Sequence, residues 1–316
     1  MTYDLTTIGE GQIRLTVNKG ERLLSANSLR MTAACSEANV SGLLAQLGHP
    51  VSWASKMPAG DLAERVLSEF RSVGVDLSNM VRAPEGRVAL YFMEPGEFPM
   101  PGKVTYDRMH TAFRTASIDD FNWDSLFDTR VVFVTGITAA LTDDTARLIR
   151  YFVDGAAERG IDIVLDVNYR SMLWDPDDAC RILAPIAHKA SVLFCSRRDA
   201  ATVFGIDGDG PTSCRKMREH FGVPQVVATD QCNGVYYSSA STGELTFDVE
   251  RVPVIDRPGA GDAFVAGTLH GFLTSTVLDG IQYGLRTAKF ALTHHGDLTH
   301  ISPAELAIPV TTDIVR

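Results

Sequence analysis

The sequence predicts an α/β fold, a parallel sheet sandwiched between helices on both faces with a small β-sheet attached as a lid, and three observations carry that expectation. Short apolar runs recur at Val131–Val134, Ile161–Leu165, Val192–Phe194 and Val226–Ala228; the longer stretches between them have helical spacing; and the runs, Asp162 apart, are continuously apolar rather than alternating. An alternating strand is solvated on one face, whereas a continuous apolar run needs cover on both, which the helices of βαβ crossovers supply.

In chain order, Gln12–Val17 alternates with period two, and so do Val88–Glu94 and Lys103–Arg108 around the turn residues Pro95-Gly96, Pro99 and Pro101-Gly102. That pattern predicts half-exposed antiparallel strands. They define lid segments at about 12–33 and 86–113, placed over the C-terminal ends of the parallel strands, where ligands of open α/β sheets bind. After the first buried run, Thr145–Arg159 carries an apolar helical stripe at Ala146, Ile149, Phe152 and Val153. Farther on, a strand-like run from Val252 leads into a Gly259-Ala260-Gly261 turn and a helix beginning near Asp262, whose small residues Ala263, Ala266 and Gly267 let it sit close to the sheet. No internal repeat or linker divides the chain, so residues 1–316 are expected to form a single domain.

Composition narrows the partners. With 29 Lys and Arg against 39 Asp and Glu the net charge is −10, a field that repels nucleic-acid backbones and anionic lipid. The five cysteines, Cys35, Cys180, Cys195, Cys214 and Cys232, are scattered without metal-ligand spacing and are expected to be reduced thiols. The first residues lack the basic and apolar regions of a secretory signal, and no apolar run reaches the roughly 18 residues of a membrane span. The expected location is the cytoplasm.

The segment with most chemistry is Gly259-Ala260-Gly261-Asp262. Glycines permit a tight turn, and free N–H groups at a helix start form an anion site reinforced by the helix dipole. A carboxylate beside such a cradle repels the anion unless it takes a proton from an attacking hydroxyl, so cradle plus Asp262 points to phosphoryl transfer. A plain strand-to-helix turn with a helix-starting carboxylate explains the same residues. Neither a GxxxxGK[ST] loop nor GxGxxG is present, since Phe264 stands at the third glycine position.

Asp256-Arg-Pro-Gly-Ala-Gly-Asp-Ala-Phe-Val-Ala-Gly267 resembles the C-terminal signature of the ribokinase (PfkB) carbohydrate kinases, and Glu37-Ala-Asn-Val-Ser-Gly-Leu-Leu-Ala-Gln-Leu-Gly48 resembles that family's sugar-binding helix. Thr105-Tyr-Asp-Arg108, Leu90–Gly96, Val134–Leu141 and Asp166–Trp174 are most similar to the 2-keto-3-deoxygluconate kinases within it. The resemblance implies a ribokinase-like fold, ATP and Mg²⁺ as cofactors, and transfer to the terminal hydroxyl of a keto sugar acid. It implies Asp262 as general base and Gly259, Ala260 and Gly261 as the anion hole. It places Ala34, Cys35 and Asn39 at the sugar, Arg108 and Arg170 at its carboxylate and carbonyl with Tyr91 and Tyr106 beside them, and Ser196, Asp199, Thr229, Gly234 and Gly261 at the nucleotide. No residue is assigned to the metal. The chemical logic of the arginines is independent: a planar guanidinium binds a carboxylate at two points, whereas a neutral sugar needs no such pair.

The chain departs from the family where Ala34-Cys35 replaces Gly-Gly, where Ser196-Arg-Arg-Asp199 replaces Asn-x-x-Glu, at Gln231 and at Pro258. Two other readings therefore stay open, a kinase of a neutral sugar such as fructose and a kinase relative that binds ligand without turnover. Paired lid strands further suggest a homo-oligomer, a dimer or higher.

Overall fold

The protein is described by a computed structural model covering residues 1–307; residues 308–316, the end of the expected domain, lie outside the described residues. The strands in chain order are β1 (Tyr3–Ile8), β2 (Gln12–Thr16), β3 (Arg30–Ala34), β4 (Val51–Ala54), β5 (Lys56–Pro58), β6 (Val81–Ala83), β7 (Ala89–Glu94), β8 (Lys103–Asp107), β9 (Thr129–Thr135), β10 (Asp162–Asp166), β11 (Val192–Ser196), β12 (Gln225–Thr229), β13 (Val235–Ser239) and β14 (Gly243–Phe247). The helices are α1 (Ser36–Gln46), α2 (Asp61–Ser72), α3 (Trp123–Leu126), α4 (Gly136–Ala139), α5 (Asp143–Glu158), α6 (Pro176–Ala187), α7 (Arg197–Phe204), α8 (Gly210–Phe221), α9 (Ala260–Thr274), α10 (Val277–Leu292) and α11 (Pro303–Ala307).

An eight-stranded sheet of order β14-β13-β12-β11-β10-β9-β1-β4 forms the centre, parallel from β12 through β4 with β13 and β14 antiparallel at one edge. Its apolar runs are continuous because both faces are cores. Val131 and Phe133 of β9 join Leu43, Leu269 and Ile281 on one side, while Val132 and Val134 join Ile149, Phe152 and Leu183 on the other. Helix α5 starts ahead of the expected Thr145, because Thr142 caps it by accepting the Thr145 N–H at 3.1 Å.

A second sheet of order β3-β2-β7-β8 stands over the C-terminal ends of the central strands, in the expected lid segments. Two expectations about it are corrected. β2 pairs with β7 in parallel, not antiparallel, and Gln12–Thr16 is buried almost throughout rather than half-exposed. The reason is its position between β3 and β7, with Ile13 in the main core on one face and Arg14 enclosed on the other. β8, at the sheet edge, alternates as expected, with Lys103, Thr105 and Asp107 outward. The strand-like run from Val252 is also corrected: it lies outside every strand, while the following helix begins at Ala260, near Asp262 as expected. Among the described residues all five cysteines are free thiols and no helix is long and apolar enough to cross a membrane.

Candidate active site

A cleft of about 1580 Å³ separates the two sheets. Asp166, Ser196 and Thr229, the last residues of β10, β11 and β12, line its floor, and Gln12, Ala34, Tyr91 and Tyr106 of the small sheet line its roof.

The helices around it differ in how they start. Thr142, Asp175, Ser196, Asp209 and Thr276 cap α5, α6, α7, α8 and α10 with side-chain oxygens. α9 has no side-chain cap and opens on Gly259 at φ 86°. A Cβ at Gly259 would lie 2.1 Å from the Asp297 carbonyl oxygen, so glycine is required both by conformation and by contact. The Ala260 N–H donates to the Arg257 carbonyl at 3.3 Å, and the next N–H groups of α9, at Gly261 and Asp262, are left without a side-chain acceptor, with the positive end of the helix dipole behind them.

Asp262 stands in the first turn of α9, half-buried in the cleft. Ser36 Oγ donates to its Oδ1 at 2.6 Å and Asn39 Nδ2 donates to its Oδ2 at 2.8 Å, while Asn168 Nδ2 steadies Ser36 at 3.2 Å. Desolvation outweighs these hydrogen bonds and pushes the Asp262 pKa up to about 6. That value leaves the carboxylate ionised at neutral pH and basic enough to accept a proton. Nearby, burial together with repulsion from Asp262 and Asp199 pushes Asp166 up to about 8, and burial raises Asp199 against the opposing effects of Ser196 and Arg170.

The two arginines part company. Arg108 is buried and gives Nε and Nη2 to Glu10 Oε2, each at 2.7 Å, with its guanidinium over Tyr106. Arg170 is exposed in the cleft, its one hydrogen bond running to the adjacent Tyr169 carbonyl at 3.2 Å. Asp107, adjacent to Arg108, pairs with Arg87. Tyr91 is buried with its hydroxyl on Asp297 Oδ2 at 2.7 Å. Cys35 lines the cleft and its thiol reaches Glu37 Oε2 at 3.3 Å, a carboxylate already held by Thr135 and Thr138.

Among the residues expected at the nucleotide, Ser196, Asp199, Thr229 and Gly261 line the cleft. Gly234 does not: it turns between β12 and β13 at φ 154°, where a side chain would strike Tyr236. Of the basic pair after Ser196, Arg197 is engaged by Asp230 at 2.8 Å and Arg198 faces the cleft.

Sequence reasoning missed Ser36 and Asn168, the supports of Asp262, and Gln12. The Gln12 Oε1 and Asn39 Oδ1 atoms are buried acceptors without a protein partner among the described residues, and both residues line the cleft. Unpaired acceptors in a ligand cleft suit the hydroxyls of a polyol. An apolar end formed by Val235, Val249, Val252, Val254, Leu285 and Leu292 also went unread. A polar residue at the end of a buried run, as Asp166 is, was the available signal for the floor.

Residues 3–304 match the sequence pattern described as pfkB family carbohydrate kinase. The chain belongs to that family. This pfkB-family kinase is 34% identical over 310 residues to a 2-dehydro-3-deoxygalactonokinase of Haloferax volcanii, covering 97% of this chain and 96% of that protein. It is 26% identical over 289 residues to a 2-dehydro-3-deoxygluconokinase of Bacillus subtilis, covering 90% and 86%. The crystal structure of a 2-dehydro-3-deoxygluconokinase from Thermotoga maritima superposes with a TM-score of 0.88 at 25% identity over 97% of both chains. The ribokinase-like fold expected from the signature is thus the fold of this kinase.

With Asp262 as the expected base, kcat/KM is predicted to fall as pH drops through the Asp262 pKa of about 6. The Ser36 hydrogen bond favours the ionised form, and Ser36→Ala removes it. The acid limb of the pH profile then moves upward by about one unit. An unmoved limb in Ser36→Ala would show that Ser36 does not tune the base.

Proposed function

We propose that this kinase transfers the γ-phosphoryl group of ATP to the terminal hydroxyl of 2-keto-3-deoxygluconate, its galactonate epimer or a closely related keto sugar acid. The reading rests on one observation above the others: a partly desolvated carboxylate, Asp262, stands in the first turn of an uncapped helix, in the same cleft as an exposed arginine, Arg170.

Asp262 takes the proton of the sugar hydroxyl as its oxygen bonds to the γ-phosphorus, and the bond from phosphorus to the bridging oxygen of ADP breaks. The N–H groups of the Gly259–Gly261 turn that are not engaged within the chain, such as that of Gly261, stabilise the charge that spreads over the equatorial oxygens. Arg170 takes the substrate carboxylate in a bidentate pair, and Gln12 and Asn39 accept from its hydroxyls. The apolar slot beside Leu285 and Leu292 accommodates the base of the nucleotide.

The cleft also fits Mg²⁺. Asp166 and Asp199 both have their charge disfavoured by burial, which a bound cation relieves. Among the described residues no three acidic, histidine or cysteine groups converge on one point, and Mg²⁺ characteristically takes one or two carboxylates with waters and substrate phosphates completing its shell. Held there by Asp166 and Asp199, it would neutralise phosphate charge.

The test is Mg²⁺-dependent ADP release with 2-keto-3-deoxygluconate, its galactonate epimer, fructose and ribose. Turnover confined to the keto acids is the expected result; turnover of fructose or ribose moves the assignment to a neutral-sugar kinase, and silence on all four with tight ATP binding favours a protein that binds only. Arg170→Ala separates the first two at the level of the site. Losing a charge-assisted pair worth about 1.5–3 kcal/mol, it lowers kcat/KM for the keto acid about 10- to 100-fold. Any neutral sugar turned over is affected less than threefold by the same change, as roughly a null effect on binding predicts. Equal losses on both substrates would remove Arg170 from the carboxylate site.

A further inference from the structure

We propose that Arg14 is a positioning residue for phosphoryl transfer, its buried guanidinium joining the lid to the two segments that hold the anion turn. The inference rests on the phosphoryl-transfer reading of Gly259–Asp262.

Arg14, on β2, is fully buried, and each side of its fork is engaged. Nε donates to Thr16 Oγ1 at 2.8 Å, Nη1 to Asp297 Oδ1 at 2.9 Å and Nη2 to Asp256 Oδ1 at 2.7 Å. Asp256 lies just ahead of Gly259 in the chain, and Asp297 presses its backbone carbonyl against Gly259 at the point where a Cβ would sit. The two carboxylate segments are themselves joined, since the Gly296 N–H donates to Asp256 Oδ2 at 3.2 Å. A second lid strand enters through Tyr91 of β7, whose hydroxyl donates to Asp297 Oδ2 at 2.7 Å. One cation thus connects the roof of the cleft with both walls of the turn that receives the phosphate.

Simple packing does not require this arrangement. Burying a cation with two carboxylates carries a desolvation cost that an apolar cluster of the same volume avoids. What the planar fork adds is geometry: it holds two carboxylates at set positions, which a flexible ammonium with a single point charge cannot do. The anion turn needs that definition, because its N–H groups must meet a phosphoryl group within a fraction of an ångström.

The experiment uses the full-length Arg14→Lys and Asp297→Asn variants, each checked for a cooperative thermal transition. Hydrogen exchange, which needs no substrate, is read at the amides of residues 257–264 and of β9–β12. Arg14→Lys is expected to speed exchange at 257–264 about tenfold or more and to leave the central strands unchanged. With the sugar that the wild type phosphorylates best, kcat falls by about 10²-fold while KM for ATP and for the sugar stays within about threefold, and Asp297→Asn shows the same split to a lesser degree. Wild-type exchange at 257–264 together with wild-type kcat in either folded variant overturns the proposal, as does a loss expressed entirely in KM. If Arg14→Lys does not fold, Asp297→Asn decides. A wild-type protein that phosphorylates no sugar sinks the functional reading instead, and the exchange data still report whether Arg14 holds the turn.

Discussion

Asp262→Asn is expected to lower kcat by about 10²- to 10⁴-fold, the range associated with loss of a general base, with ATP and sugar binding retained. The substitution is nearly isosteric and the surroundings can accept it. Ser36 keeps an acceptor in the new Oδ1, and Asn39 can turn its amide so that Oδ1, an acceptor without a partner in the present arrangement, receives the new amide N–H. The fold is therefore preserved and the loss belongs to chemistry. Isothermal titration with ATP, a thermal melt and a rate measurement on the best keto acid test all three statements together. The residual rate of the variant should also lack the acid limb near pH 6, because the group that titrates there has gone. A kcat within tenfold of wild type would remove Asp262 from the role of base, whatever the family pattern.

The second large effect is expected from Gly259→Ala. At φ 86° an L-residue is strained by about 1–2 kcal/mol, and the added methyl group meets the Asp297 carbonyl oxygen at 2.1 Å, a contact that only backbone movement relieves. That movement takes the N–H groups of the turn away from the phosphoryl group, and losing such donors costs about 10²- to 10³-fold in kcat. Melting temperature should fall as well. Gly261→Ala provides the contrast: nothing lies within 4 Å of a Cβ there, and its φ is not positive, so stability is unchanged and any lost rate reports crowding of the phosphate itself. If Gly259→Ala keeps both its stability and its rate, the turn is not the rigid anion hole described above.

Much of this protein could be read along the chain because the relevant physics is local. Val131–Val134 and its counterparts are continuously apolar since each strand serves two cores, and that property is visible in four consecutive letters. Gly259-Ala260-Gly261-Asp262 lies within a single helical turn, so the turn and its carboxylate were legible together, whereas the strand-like composition at Val252–Ile255 met no partner strand and forms none. The alternation of β7 and β8 announced a small sheet, but alternation has no direction, and the parallel pairing of β2 with β7 followed from topology alone.

What the tertiary structure decided is which distant groups meet. Arg108 is ion-paired with Glu10, whereas Arg170 lies near Asp166, Asp199 and Asp262 without a direct ion pair among the described residues; Tyr91 serves Asp297; Ser36 and Asn39 from α1 support a carboxylate on α9. Each of these choices depends on loops and crossovers that bring together positions far apart in the chain, and a side chain's charge, desolvation and free hydrogen-bonding edges are properties of such neighbours rather than of the residue. The sequence by itself determined the class of fold and the kind of chemistry, because periodicity and a one-turn motif are set by adjacent residues. Which arginine is tied up in an ion pair, and how basic Asp262 becomes, were decided only when folding set the distances and removed the water.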